Sequence, residues 1–189
     1  MTLTVSLEKA IQVSAKAHHK QKRKGTDIPY IIHPFSVMLI ASEATNDEDV
    51  LIACLFHDIL EDVPEEYPEQ QMCQDFGQRV VDIVQGVTKD SSIADWRVRS
   101  EAYLYQLEFK ASDESVLVSA ADKIHNMMSK LADYQIIGEN LWNKFGAGKE
   151  SQLWWYAAVQ EVLKKRMPDC SLISKYQHLL DELRLVTQN

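Results

Sequence analysis

Residues 51–64 read LIACLFHDILEDVP. Six core-forming residues run into His57-Asp58, and Glu61-Asp62 follow two residues later. Thr45–Asp49 (TNDED) supplies caps and acids ahead of the run and Pro64 closes it, so the stretch predicts one continuous helix. Its first half is apolar nearly all round, which places it centrally in the fold. At about 100° per residue, His57 pairs with Glu61 and Asp58 with Asp62, and all four side chains fall within an arc of about 140°. A carboxylate cluster on a buried helix is costly unless a cation neutralises it. A divalent metal is one explanation. A solvated helix exit carrying Glu61, Asp62, Glu65 and Glu66 is the other, although acids at a helix C-terminus oppose the macrodipole.

Helical spacing extends outward from this stretch in both directions. Leu7, Ala10, Ile11, Ser14 and Ala17 trace one face of a first helix, ended by the turn-like Gly25–Pro29. A second helix begins with Pro34 at a favoured early position. Residues 75–87, 98–109 and 114–132 give further helices, and two more lie near 149–166 and 171–186, separated by Met167-Pro168-Asp169. Few segments alternate with period two, and neither a repeat nor a low-complexity linker is visible. The expected fold is an all-α bundle of seven or more helices, with residues 1–189 forming one domain.

Two other residues draw attention beside the 57–62 cluster. His33 precedes Pro34, a position biased towards extended backbone; alone, such a histidine reads equally as a cap or a packed core group. Asp122 lies in VLVSAADKIHNMMSKL, where Asp122, Asn126 and Ser129 form a polar stripe at i, i+4 and i+7 beside an apolar face. A buried cap, or a pair with Lys123 or His125, is the plainer explanation for that aspartate. Two imidazoles and two carboxylates together would make a mixed N/O site suited to Mn²⁺, Fe²⁺, Zn²⁺ or Mg²⁺.

Composition narrows the function classes. The formal net charge is −8, which argues against nucleic-acid or anionic-membrane partners. No apolar run reaches the roughly 18–20 residues of a membrane span, and the N-terminus shows no signal-peptide pattern. Cys54, Cys73 and Cys170 fit neither a disulfide framework nor a zinc motif, so a cytoplasmic location is expected. Against this acidic average, Lys16, Lys20, Lys22, Arg23 and Lys24 make a basic patch, either a solvated helix end or a seat for an anion. Gly146–Lys149 lacks the glycine and the Ser/Thr that a phosphate loop needs. Trp142, Trp154, Trp155 and Tyr156 read as core, with one of them open to walling a pocket.

His33, His57-Asp58 and Asp122, in that order, resemble the HD-domain metal phosphohydrolases. Within these, HDILED, the segment HHKQKRKGTDIPYIIHP (18–34), Gly86-Val87-Thr88-Lys89 and Ala121–Asn126 are similar to the Rel/Spo-type guanosine 3′,5′-bis(diphosphate) 3′-pyrophosphohydrolases. The length resembles that of the stand-alone small alarmone hydrolases. The resemblance implies that His33, His57, Asp58 and Asp122 hold one metal, usually Mn²⁺, with other divalent ions as alternatives. It implies that Glu61 and Asp62 position water and move protons, that Arg23 and Lys24 contact the nucleotide, and that Asn126 and Ser129 face the nucleoside. The implied reaction releases pyrophosphate from the 3′ position of a (p)ppGpp-like nucleotide. Runner-up readings are a (p)ppApp or other 3′-phosphorylated nucleotide as substrate and, outside catalysis, a nucleotide-sensing module; a homo-oligomer is compatible with each. Ser119 and Met128 stand where the family often carries cations, and Lys89, Arg97 and Arg99 are candidates to compensate.

Overall fold

The longest helix organises the molecule. In the computed structural model, which describes residues 2–187, ten α-helices follow one another as α1 (Val5–Ala17), α2 (Ile32–Ala41), α3 (Glu48–Phe56), α4 (Ile59–Asp62), α5 (Glu69–Phe76), α6 (Gln78–Val87), α7 (Trp96–Phe109), α8 (Asp113–Ile137), α9 (Gly148–Arg166) and α10 (Leu172–Thr187). A 3₁₀ segment, Gly138–Lys144, joins α8 to α9. Helix α8 starts on Ser112, whose hydroxyl accepts from the Ser115 N–H at 3.1 Å, and ends at Gly138, whose φ of 54° favours glycine. It is buried continuously from Ser115 to His125, packed against α2, α3, α6, α9 and α10. A Cβ at Gly86 would collide with Ser115 of α8, so that glycine sets how closely α6 approaches.

Helix α3 is buried at every position from Val50 to Phe56, as expected for a run apolar on all sides. Asp47 caps it, accepting from the Asp49 N–H at 3.1 Å. Arg79 of α6 then ties Asp47 and Asp49 to Glu114 of α8. The single helix expected through residue 62 is corrected: α3 stops at Phe56, and α4 resumes after a turn at His57-Asp58. Asp58, at φ −98° and ψ −7°, has left the helical well enough to redirect the chain, although the Asp62 N–H still bonds to the Asp58 carbonyl. The helix expected over 75–87 is corrected in the same way. Gly77, at φ 89°, ends α5 and starts α6, and the α5 segment from Glu69 carried too weak an apolar pattern to be foreseen.

His33 is also corrected. It lies in the first turn of α2 rather than in extended backbone, with its N–H bonded to the Tyr30 carbonyl at 2.8 Å. Proline in a first helical turn removes only a donor that has no intrahelical acceptor, so the helix can begin ahead of Pro34. Between α1 and α2 the chain doubles back. The Arg23 N–H bonds to Ile28 O at 2.9 Å and the Tyr30 N–H to Gln21 O at 3.0 Å, around the left-handed Gly25 at φ 71°. Among the described residues the only β-pairing is the isolated Lys22–Pro29 bridge. Among the described residues no helix is long and apolar enough to cross a membrane.

Candidate functional site

Three elements meet at one point: the start of α2 with His33, the turn after α3 with His57 and Asp58, and the middle of α8 with Asp122. Ligand atoms of His33, His57 and Asp58 lie within 4.8 Å of one another. His57 Nε2 is 3.0 Å from Asp58 Oδ2 and 3.2 Å from His33 Nε2. Asp122 Oδ1 completes the group at 3.2 Å from His33 Nε2 and 3.8 Å from His57 Nε2. Both histidines are buried, at 1% and 3% exposure.

The donor set fits a cation. His57 Nδ1–H must donate to the Cys54 carbonyl, at 2.8 Å, because a carbonyl can only accept. When the ring is neutral, Nε2 is its unprotonated nitrogen and faces two carboxylates. His33 Nδ1 lies 2.7 Å from His125 Nδ1; with His33 donating, its Nε2 also presents a lone pair inward. Four acceptors then converge without a proton among them, an arrangement that a divalent ion with N and O ligands satisfies at once. A proton is the competitor. Burial alone would lower the His57 pKa, but the Asp58 and Asp122 carboxylates outweigh it and hold it at about 9. Asp58 resists protonation despite burial because the His57 and His33 rings stand beside it. Asp122 likewise stays ionised, held down by Lys123 and the two histidines.

The surrounding groups fix this cluster in place. The Tyr30 hydroxyl donates to Asp58 Oδ2 at 2.6 Å. Lys123 and Asn126 both donate to the Asp122 carboxylate, and Arg23 Nη2 donates to Asn126 Oδ1 at 3.3 Å. A continuous chain of donors thus runs from the basic loop, through Asn126, to Asp122. His125, pushed down to about 4 by burial and by the nearby His33 and Arg23, remains a neutral acceptor.

Two cavities flank the cluster. The larger, about 490 Å³, is lined by Arg23, Lys24, Tyr30, Asn126, Ser129 and Phe145, with Asp62 at its wall. Arg23 lies over the Tyr30 ring at 5.5 Å and Lys24 over Phe145 at 5.6 Å. The smaller, about 220 Å³, is lined by Glu61, Lys89, Arg99, Lys123, Lys130 and Trp155. Asn126 and Lys130 belong to both linings. A groove of about 580 Å³ between α1 and residues 66–74 shares none of these residues and none of the cluster.

Glu61 and Asp62, expected on one helical arc with His57 and Asp58, are separated by the turn. Glu61 Oε2 accepts from the Lys89 N–H at 3.2 Å, whereas Asp62 Oδ2 accepts from Gln21 Nε2 at 3.4 Å. Asp62 is exposed at the cavity mouth, yet partial withdrawal of its carboxyl from water and the Asp58 and Glu61 charges raise it to about 6. Arg97 is not brought to the site: it pairs with Glu101 at 2.7 Å and stacks on Trp154. Lys89 and Arg99 are brought there. Ser119 accepts from the Tyr103 hydroxyl at 2.8 Å, and Met128 is exposed. Tyr30 and Lys130 went unnoticed in the sequence. For Lys130 the signal was its place seven residues after Lys123 on an apolar helix, which puts both ammonium groups on one buried face.

The geometry defines, among the described residues, a helical protein in which two buried histidines and two aspartates, a set able to hold a cation, lie between a cleft of about 490 Å³ and a cation-lined chamber. The chain belongs to the HD domain family, whose model matches residues 10–137. It is 37% identical over 122 residues to a guanosine-3′,5′-bis(diphosphate) 3′-pyrophosphohydrolase of Aquifex aeolicus, covering 64% of this chain and 17% of that protein. It is 40% identical over 123 residues to a GTP pyrophosphokinase of Streptomyces coelicolor (64% and 14%). It is 36% identical over 126 residues to the bifunctional (p)ppGpp synthase/hydrolase SpoT of Escherichia coli (64% and 17%). The chain thus spans about a sixth of the length of these curated relatives. Among solved structures, a metazoan SpoT ortholog described as hydrolysing ppGpp superposes with a TM-score of 0.78 at 23% identity, covering 96% of this chain and 97% of that one. That likeness shows the shared helical fold.

Proposed function

We propose that the protein is a metal-dependent hydrolase that removes pyrophosphate from the 3′ position of a (p)ppGpp-like nucleotide. The observation that carries this reading is the convergence of four acceptors from His33, His57, Asp58 and Asp122 between a nucleoside-sized cleft and a cation-lined chamber. Relatives named for this hydrolysis and a structural neighbour described by it support the choice of substrate. Mn²⁺ is the ion proposed for the four ligands; a divalent ion there supplies Lewis acidity towards a phosphoryl oxygen and an attacking water.

The chain's own residues do the rest. Arg23 offers a planar cation to stack on a base, and Lys24 a point charge for phosphate. Asn126 and Ser129 line the same cleft and face the nucleoside. Water adds to the phosphorus attached to O3′, the O3′–P bond breaks, and O3′ takes up one proton as pyrophosphate leaves. Glu61, on the phosphate side, orients the water and accepts its proton. Asp62 lies on the nucleoside side, and its raised pKa of about 6 leaves it able to hold a proton for O3′ near neutral pH. Arg23 also orders Asn126, and through it Asp122, so filling the cleft and shaping the cation site are linked.

Incubating the Mn²⁺-loaded chain with guanosine and adenosine 3′,5′-bis(diphosphates), and with their 5′-triphosphate forms, tests the reading through pyrophosphate release. Release from at least one of them, with the nucleoside 5′-di- or triphosphate as co-product, is expected. Stoichiometric nucleotide binding with no release would favour the sensing module instead.

A further inference from the structure

The smaller cavity presents a charge problem that the cation site does not solve. Lys89, Arg99, Lys123 and Lys130 face it, against a single carboxylate, Glu61. Lys123 is balanced by Asp122, and Arg99 donates to the Ile93 carbonyl at 3.1 Å. Lys130 is 8% exposed, and its amino group, pushed down to about 7 by burial and the nearby Arg23 charge, has no hydrogen-bond or ion-pair partner among the described residues. It meets only aromatic faces, Phe145 at 4.2 Å and Tyr156 at 5.4 Å. Lys89 likewise lies over Tyr103 and Trp155, both at 5.5 Å, with no carboxylate bonded to its ammonium. A buried, unpaired ammonium is costly for folding, and Lys130 with the half-buried Lys89 facing the same cavity, in a chain of net charge −8, asks for an anion. The cavity, about 220 Å³, could hold several waters at roughly 30 Å³ each, and so accommodates a diphosphate-sized group. Buried Gln152, at 8% exposure, adds an amide to its wall.

We propose that this chamber seats the terminal phosphate of the 3′-diphosphate, and that Lys130 is a specificity-determining residue favouring a diphosphate over a monophosphate at that position. The inference rests on the hydrolase reading and deepens it. Lys130 lines both cavities, so it stands where a nucleotide spanning them passes from nucleoside to phosphate. Helix α8 therefore supplies the cation one turn beyond Asn126, from the buried face that exposed Met128 does not reach.

The test is calorimetric titration of inorganic pyrophosphate and, separately, orthophosphate into the metal-loaded full chain and its variants. Wild type should bind pyrophosphate more tightly than orthophosphate. Lys130→Met should weaken pyrophosphate about tenfold or more, the scale of a lost charge-assisted hydrogen bond, and narrow the preference. Lys130→Arg should restore most of the affinity. Metal content should not change, and Lys130→Met should melt no lower than wild type, because it removes an unpaired buried charge. Should Lys130→Met fold poorly, Lys89→Met reads the same chamber from the α6–α7 connection. Equal pyrophosphate affinity in wild type and the folded variants, or no binding at all, overturns the proposal. Nucleotide hydrolysis alongside such equal affinities would leave the hydrolase reading standing. Pyrophosphate held through Lys130 without turnover of any nucleotide would leave the chamber and remove the hydrolase.

Discussion

Asp122 holds two jobs that Asp122→Asn separates. The carboxylate is a proposed metal ligand and the counter-charge of Lys123, which is 5% exposed. Asparagine keeps the shape and one oxygen but leaves that ammonium buried without an anion. Breaking a buried pair by neutralising one partner costs about 3–5 kcal/mol. Lys123 keeps the faces of Tyr103 and Trp155, at 5.4 and 5.5 Å, in both proteins, so these contacts cancel in the difference. The expected loss is about 3–5 kcal/mol, or roughly 6–20 °C in melting temperature for a chain of this size. Melting both proteins in a chelator isolates this term. Adding Mn²⁺ should then raise wild type more than the variant and widen the gap, because only wild type keeps all four ligands. A chelated variant that melts at or above wild type would refute the ion-pair argument. Equal metal-induced stabilisation of the two would remove Asp122 from the ligand set.

Glu61→Gln should leave metal content unchanged while turnover falls about 10²–10⁴-fold; elemental analysis beside single-turnover kinetics checks both halves, and loss of metal would make Glu61 a ligand. Arg23→Ala should weaken nucleotide binding by about 1–3 kcal/mol, or about 5–150-fold in KM, an effect that shrinks as salt rises, with little change for a small phosphoester such as p-nitrophenyl phosphate. Equal losses on both substrates would reduce Arg23 to a support for Asn126. The metal site should also respond to pH. His57 is held at about 9 in the metal-free protein, above its ordinary 6.5, so its proton stabilises the fold fully below 6.5, and that contribution is lost as pH rises through about 9. The same proton must leave before Nε2 can accept a cation, so Mn²⁺ affinity should rise with pH by up to about tenfold per unit below pH 9. Titrations in buffers of different ionisation enthalpy would count the released proton, and a pH-independent affinity would contradict the assignment.

The order of the longer helices, the cap within Thr45–Asp49, and the four residues His33, His57, Asp58 and Asp122 as candidates were legible in the linear chain. Helical periodicity and capping are local, and an acid or histidine inside an apolar run stands out wherever the run finally packs. The break at His57-Asp58 was not legible, because its residues are ordinary helix formers and the local pattern runs on unbroken. Tertiary packing decided it: turning there brings the His57 ring towards His33 and Asp122 and sends Glu61 towards Lys89 while Asp62 faces Gln21. Lys130 carried only the weak signal of its spacing from Lys123. A lysine on a helix is usually solvated, and only the closure of Phe145 and Tyr156 over α8 makes it buried and unpaired. A sequence names the groups able to do chemistry, since side-chain type is local. Which carboxylate faces which cavity, and which cation lacks a counter-ion, depends on distances between segments about a hundred residues apart, such as Arg23 and Asn126, and these exist only once the helices have packed.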